Sequence, residues 1–343
     1  MGELGVVVVG AGYFAREHLA AWAAHPETRL LAVVDRDPAR AEAAAAEFGG
    51  RALGDLDAAL ALGPGLVDLA VPPEAHLPLI GRCTAARVPT ICQKPFCGGL
   101  DGARRAVELA AATGTPLIVH ENFRFQPWWR RIGAEIGAGR IGAPYQVTVR
   151  LRPGDGQGPD AYLGRQPYFR EMPRLLVHET AVHLIDVMCF LLGEPEWVWA
   201  DLRRLNPAVA GEDAGIVVLG FPGEVRGLFD GNRLADHAAR DPRRVMGEGL
   251  AEGSAGTLAL DGDGGLSFRA HGAREAEPIA LEVGCGFGGG CVAALQAHVA
   301  EHLLRGAALE NEAASYLATL EIVEAAYASD AEGRRMALKG GTG

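Results

Sequence analysis

In the first third of the chain, short apolar runs alternate with helix-forming stretches. Residues 4–9, 30–34, 66–71, 88–92 and 117–119 are short, predominantly apolar runs. That is the pattern of strands in a parallel sheet buried on both faces. Between them, residues 14–24, 38–48, 56–62, 75–86 and 100–112 read as helices. Asp37-Pro38 is a helix start, with Asp as N-cap and Pro at the first helical position. Repeated strand–helix alternation predicts a doubly wound α/β domain of Rossmann type over residues 1–121.

The pattern then changes. Residues 127–138 read as a helix and 145–151 as a strand. From 153 to 176 there is little periodicity and much Gly, Pro and Arg, and ordered loops of this length are usually functional. Residues 179–192 read as an amphipathic helix ending at Gly193. From 197 to 269 strands are punctuated by turns at Pro222-Gly223, Gly253-Ser254 and Asp261-Gly262. Roughly six strands are expected there, in an antiparallel or mixed sheet. Helices over 290–305 and 311–329 follow, and the tail from Gly340 to Gly343 reads as disordered. Residues 122–343 therefore form a second, α+β domain around a large, mostly antiparallel open sheet.

Composition narrows the function. The 343 residues are 49% hydrophobic and 22% charged, which is globular composition, with a formal net charge of −11 and no basic run. A nucleic-acid binder would show a basic patch. No apolar stretch approaches the length of a membrane span, and Glu3 stands where a signal peptide would be basic. These features predict a cytoplasmic protein that touches neither nucleic acid nor membrane. The six cysteines form no C-x-x-C pair, so free, packed thiols are expected and no metal site is assigned. His298 and His302 stand four apart on a late helix and read as a packing or solvent face.

The first apolar run leads into Gly10-Ala11-Gly12-Tyr13-Phe14-Ala15, a G-x-G-x-x-A turn between strand and helix. Gly10 permits the tight turn, Gly12 lets a pyrophosphate approach the backbone, and the helix N-terminus faces the phosphates. The second strand ends at Asp35, positioned to accept from ribose hydroxyls, which favours NAD over NADP. Arg36 beside it leaves a 2′-phosphate open. A Rossmann-like domain without a nucleotide is the alternative. Two more segments fall at the carboxyl edge of the sheet, where such folds bind ligands: Pro72-Pro73-Glu74-Ala75-His76 and Gln93-Lys94-Pro95.

Further on, His178-Glu179-Thr180-Ala181-Val182-His183 leads to Asp186. On a helix Glu179, His183 and Asp186 share a face. An acid behind a histidine can orient the ring, which makes His183 a general-base candidate. Asp186 could equally be a cap or ion-pair partner. A zinc-protease H-E-x-x-H is excluded by spacing, because His178 and His183 lie about 140° apart on a helix.

These motifs in this order resemble the Gfo/Idh/MocA family of oxidoreductases along essentially the whole chain. Two positions depart from the family pattern: Gln93 replaces the usual Glu, and Glu179 the usual Asp. Residues 119–128, 150–159 and 165–173 resemble one branch of the family that acts on D-apiose. The resemblance implies oxidation of that branched pentose at C1 to its lactone with NAD. Lys94, His183 and Glu179 would be catalytic. Gly10, Gly12, Tyr13, Phe14, Asp35, Arg36, Pro72, His76, Gln93 and Lys94 would face the cofactor. Asn122, Arg124, Arg152, Asp155 and His178, with Lys94, Glu179 and His183, would face the sugar, although loop-closing or strand-surface hydrogen bonds are equally open to the first five. Another sugar or an inositol is the alternative substrate. A regulatory protein that senses NAD(H) without turnover is the alternative of another class. A homodimer or homotetramer through the second sheet is expected.

Overall fold

The computed structural model describes residues 3–284 and 286–338. Cys285 and the glycine tail therefore lie outside the described residues. The chain forms two compact units.

The first unit contains β1 (Leu4–Val9), α1 (Ala15–Ala24), β2 (Thr28–Val34), α2 (Pro38–Phe48), β3 (Arg51–Leu53), α3 (Leu56–Leu60), β4 (Leu66–Leu69), α4 (His76–Ala85), β5 (Thr90–Cys92), α5 (Leu100–Thr113) and β6 (Leu117–Val119). Among the described residues its six strands are ordered β3-β2-β1-β4-β5-β6 and every pairing is parallel. The central strands are almost wholly buried, as a sheet covered on both faces requires. β3 escapes the apolar-run criterion because it is a three-residue edge strand with partly exposed residues.

The second unit begins at Phe123. It carries α6 (Pro127–Gly137), β7 (Pro144–Leu151), α7 (Val182–Leu192), β8 (Trp197–Arg203), β9 (Ala214–Gly220), β10 (Arg226–Asn232), β11 (Gly247–Gly253), β12 (Gly256–Leu260), β13 (Leu266–Ala270) and β14 (Glu277–Ile279). Then come α8 (Cys291–Arg305), α9 (Ala313–Glu332) and β15 (Met336–Ala337). Among the described residues the sheet has nine strands, ordered β14-β13-β12-β11-β7-β10-β9-β8-β15. Only β7 and β10 pair in parallel; the other pairings are antiparallel. One face is core, with Val147, Val149, Val217, Leu219, Phe229, Ala251 and Leu258 buried.

A cut at 121/122 omits one feature. Residues 291–318 return to the first unit. There Gln296 on α8 donates to the His18 carbonyl (3.2 Å). Asn311 donates to the Glu121 carbonyl (2.5 Å), and the Tyr316 hydroxyl donates to the buried Glu121 carboxylate (3.0 Å). Helical periodicity marks a late helix but not the sheet on which it packs.

Two helix expectations change. The segment before α7 is a π-helix, Leu176–Ala181, so regular α geometry begins only at Val182 and Glu179 lies outside it. α7 is also buried on nearly every side rather than amphipathic: Val182 through Met188 are all buried. A helix this apolar, polar only at His183 and Asp186 among its residues, is a core helix. The glycine cluster before α8 has a conformational reason, because Gly286, Gly288, Gly289 and Gly290 all hold positive φ.

Candidate active site

In the first unit the carboxyl edge of the parallel sheet gathers the expected cofactor residues. β1 ends in the glycine turn. Gly10 has φ +105°, and a Cβ there would lie 2.2 Å from the Ala70 carbonyl oxygen, so glycine is obligatory. A Cβ at Gly12 would meet nothing within 4 Å, which leaves open space over the backbone beside the N-terminus of α1. Asp35, at the end of β2, accepts from the Ala11 N–H (2.8 Å) through one oxygen and from the Asp37 N–H (2.9 Å) through the other. It thus braces the turn from the end of the second strand. Open backbone, a helix N-terminus and a carboxylate at the second strand end fit a dinucleotide. Tyr13, Arg36 and Pro72 are exposed and Phe14 is partly exposed.

Lys94 follows β5, and the Lys94–Pro95 bond is cis. The Lys94 N–H donates to Oε1 of Gln93 (2.7 Å). That donor is unambiguous, so the Gln93 amide nitrogen is the atom facing Nε2 of His18 (3.0 Å). His18 Nε2 must then accept, and the ring proton sits on Nδ1, which donates to Asp68 (2.8 Å). Trp22 donates to the same carboxylate oxygen (2.8 Å). Burial alone would push the Asp68 carboxyl up; His18 beside it, together with these hydrogen bonds, outweighs burial and holds it below the usual carboxylate value. A buried chain from Asp68 through His18 and Gln93 therefore fixes the backbone of Lys94. Neither His18 nor Asp68 belongs to a sequence motif; the one local sign is an acid inside the apolar run Leu66-Val67-Asp68-Leu69.

His76 is buried and works alongside this chain. It accepts from the Cys97 N–H through Nδ1 (3.1 Å), so Nε2 carries the proton and donates to the Val71 carbonyl (2.9 Å). Both ring nitrogens thus tie the loop after β4 to the turn after Lys94. Burial holds the His76 pKa below its ordinary value. Burial also raises the Cys83 and Cys97 thiols, to about 11 and about 12. They pack as thiols and carry little thiolate at neutral pH. His298 accepts from the Glu310 N–H (2.9 Å), and His302 contacts the Ala307 carbonyl (2.7 Å), so both brace the loop after α8. Asn122 is buried at the end of this unit.

In the second unit His183 is buried on α7 with its ring stacked flat on Phe123, centroids 4.1 Å apart. Asp186, fully buried, receives two hydrogen bonds from Arg124: Nε to Oδ2 (2.8 Å) and Nη2 to Oδ1 (2.5 Å). This bidentate pair pins the loop carrying Phe123 to the helix carrying His183. Arg152 donates to the Asp230 carboxylate (2.5 Å) and carbonyl (2.6 Å). Asp155 is held by Arg233. The His178 N–H donates to the Tyr327 hydroxyl (3.2 Å), and Glu179 accepts from Thr180 (2.6 Å). Arg124, Arg152 and Asp155 are thus each engaged by an ion-pair partner distant in sequence. The sequence carries no local sign of those partners.

Known proteins agree with this architecture. A family model described as "Oxidoreductase family, NAD-binding Rossmann fold" matches residues 4–121, and one described as "GFO/IDH/MocA C-terminal domain" matches 129–250. A D-apiose dehydrogenase of Paraburkholderia graminis is 33% identical over 97% of this chain and 89% of its own length. A D-apiose dehydrogenase of Rhizobium rhizogenes is 31% identical over 97% of each. The crystal structure of an Agrobacterium radiobacter oxidoreductase in complex with NAD+, L-tartaric acid and magnesium superposes with a TM-score of 0.88, at 29% identity over 98% of each chain.

Proposed function

The chain belongs to the Gfo/Idh/MocA oxidoreductase family, and from that premise we propose that it oxidises D-apiose at C1 to the lactone, with NAD as hydride acceptor. It is an NAD-dependent oxidoreductase. Bound NAD supplies the acceptor for the C1 hydride. Gly10, Gly12 and the N-terminal end of α1 would hold its pyrophosphate, and Asp35 would take its ribose hydroxyls. His183 receives the proton of the C1 hydroxyl. Lys94 donates a hydrogen bond to the same oxygen. Glu179 accepts from a sugar hydroxyl.

The observation that carries the dehydrogenase reading is Lys94. It sits at the strand edge of the glycine turn, with its backbone fixed by Gln93, His18 and Asp68. Full-length similarity to two D-apiose dehydrogenases, covering the second unit as well as the first, supports the substrate. The test is a panel of pentoses, hexoses and inositols, each with NAD and with NADP, read at the absorbance of reduced nicotinamide. D-apiose with NAD is expected to dominate. Equal rates across the panel, or none, would remove the substrate assignment.

We also place a second copy of the chain on the outer face of the nine-stranded sheet. Leu250, Thr148, Leu228, Val218 and Trp199 run across it as register neighbours and are none of them buried. Leu228→Glu is expected to give monomers by light scattering; an unchanged mass would place the contact elsewhere.

A further inference from the structure

The fully buried Arg233 lies at the end of β10, away from every motif read in the sequence. It donates to Asp155 twice, Nη2 to Oδ2 (2.7 Å) and Nε to Oδ1 (3.2 Å). Nε also donates to the Tyr162 hydroxyl (2.9 Å). Nη1 donates to Thr180 Oγ1 (2.6 Å) and lies 3.8 Å from Glu179 Oε2. Arginine has no acceptor, so Thr180 accepts from it. The one hydroxyl proton of Thr180 is then directed at Glu179 Oε2, 2.6 Å away. One guanidinium thus joins the 153–173 loop to the π-helix that carries Glu179.

The surroundings are shaped to this contact. Tyr162 has φ +70°, a conformation an aromatic residue keeps only when its neighbours hold it. A Cβ at Gly156 would lie 2.8 Å from the Tyr162 hydroxyl and 3.1 Å from the Arg233 Cβ, so only glycine lets the loop pass. Asn206 holds the carbonyls of Gly156 and Gly158 (2.7 and 2.8 Å). The loop has its own small core of Ala161, Tyr162, Phe169, Leu175 and Val209, with the Arg233 guanidinium 5.1 Å from the Phe169 ring centroid. π-helices gather at functional sites, and this one is clamped from the side by a buried charge.

We propose that Arg233 is a positioning residue for sugar recognition: through Asp155 and Tyr162 it sets the 153–173 loop, and through Thr180 it sets the carboxylate of Glu179. The assignment to sugar rests on the function proposed above; the clamp itself does not. Thr180→Val keeps the side-chain shape and removes the hydroxyl, and Thr180→Ser returns it. Thr180→Val is expected to lower kcat/KM for D-apiose by about tenfold, the effect of losing one hydrogen bond to a charged group. The loss should fall mainly on the sugar KM, with the NAD KM within about twofold, and Thr180→Ser should recover most of it. Sugar kinetics of Thr180→Val within about twofold of wild type, or no recovery in Thr180→Ser, would overturn the proposal.

Arg233→Lys supplies a readout that needs no substrate. Lysine keeps the charge but cannot engage Asp155, Tyr162 and Thr180 together. Faster amide hydrogen exchange across 153–165 and 176–181, with the first unit unchanged, is expected. Unchanged exchange in both segments would overturn the clamp whatever the activity. Altered exchange in a protein that oxidises no sugar would leave the clamp standing and remove the proposed function.

Discussion

The two units fix their candidate site residues by different physics. In the first, Gly10, Asp35, His76 and Gln93 act within a few residues of a strand end, largely through main-chain N–H and carbonyl groups. The carboxyl ends of neighbouring parallel strands lie side by side, so topology alone brings these turns together. In the second, position is set by guanidinium–carboxylate pairs between remote segments: Arg124 with Asp186, Arg152 with Asp230, Arg233 with Asp155. A parallel sheet presents its strand ends as a platform. A nine-stranded, mostly antiparallel sheet presents a broad face, and a helix and a loop must be anchored against it by side chains. The first adds one buried side-chain chain, Asp68–His18–Gln93, to these main-chain contacts. The second concentrates its order in a few charges.

The contrast can be broken at several points. The largest effects are expected at Lys94 and His183, the groups proposed to meet the reacting oxygen. Lys94→Ala and His183→Ala should each lower turnover by about 10²–10⁴-fold, as loss of an acid–base or hydrogen-bonding group does. NAD affinity, read by fluorescence titration, should change far less. Near-wild-type turnover in both variants would remove them from the chemistry.

Next come the anchors. Asp186→Ala deletes a fully buried carboxylate from its pair with Arg124, and urea unfolding should report a loss of about 3–5 kcal/mol. Gln93→Leu removes an amide between two hydrogen-bonding groups and should cost about 1–3 kcal/mol. Equal losses would erase the distinction between the units. A smaller change is expected at the cofactor turn. Asp35→Ala should relax the preference for NAD over NADP, measured as the ratio of kcat/KM values; an unchanged ratio would mean that Asp35 only braces the turn.

The smallest effect is the response to acid. Burial depresses the His76 pKa below 6.5 in the folded chain. The unfolded chain then binds more protons between the two values, so stability rises with pH across that window. The contribution is complete above about 6.5 and is lost as pH falls toward the folded value. His76→Gln should flatten this part of the stability–pH curve, and an undiminished slope would assign the acid sensitivity to another group.

The same contrast governs what the sequence discloses. The glycine turn, Asp35 and Lys94 are legible because each follows an apolar run and the fold class fixes where runs end. The six strands expected between 197 and 269 are present because alternation and turns are local signals. Three features are not local. The π-helix before α7 has the composition of an ordinary helix start. The return of 291–318 to the first unit depends on Glu121 meeting Asn311 and Tyr316. Arg233 lies 78 residues from Asp155, and only the folded chain brings their charges together. Gln93 accepts from the Lys94 N–H and donates to His18 Nε2, a two-way role open to an amide and closed to a carboxylate.

In the proposed reaction the C1 hydrogen of D-apiose leaves as hydride to NAD. D-apiose carrying deuterium at C1 tests it directly, with the reduced nicotinamide recovered after turnover and weighed by mass spectrometry. One deuterium per reduced cofactor, and slower turnover than with the unlabelled sugar, are expected. Reduced cofactor without deuterium would contradict it.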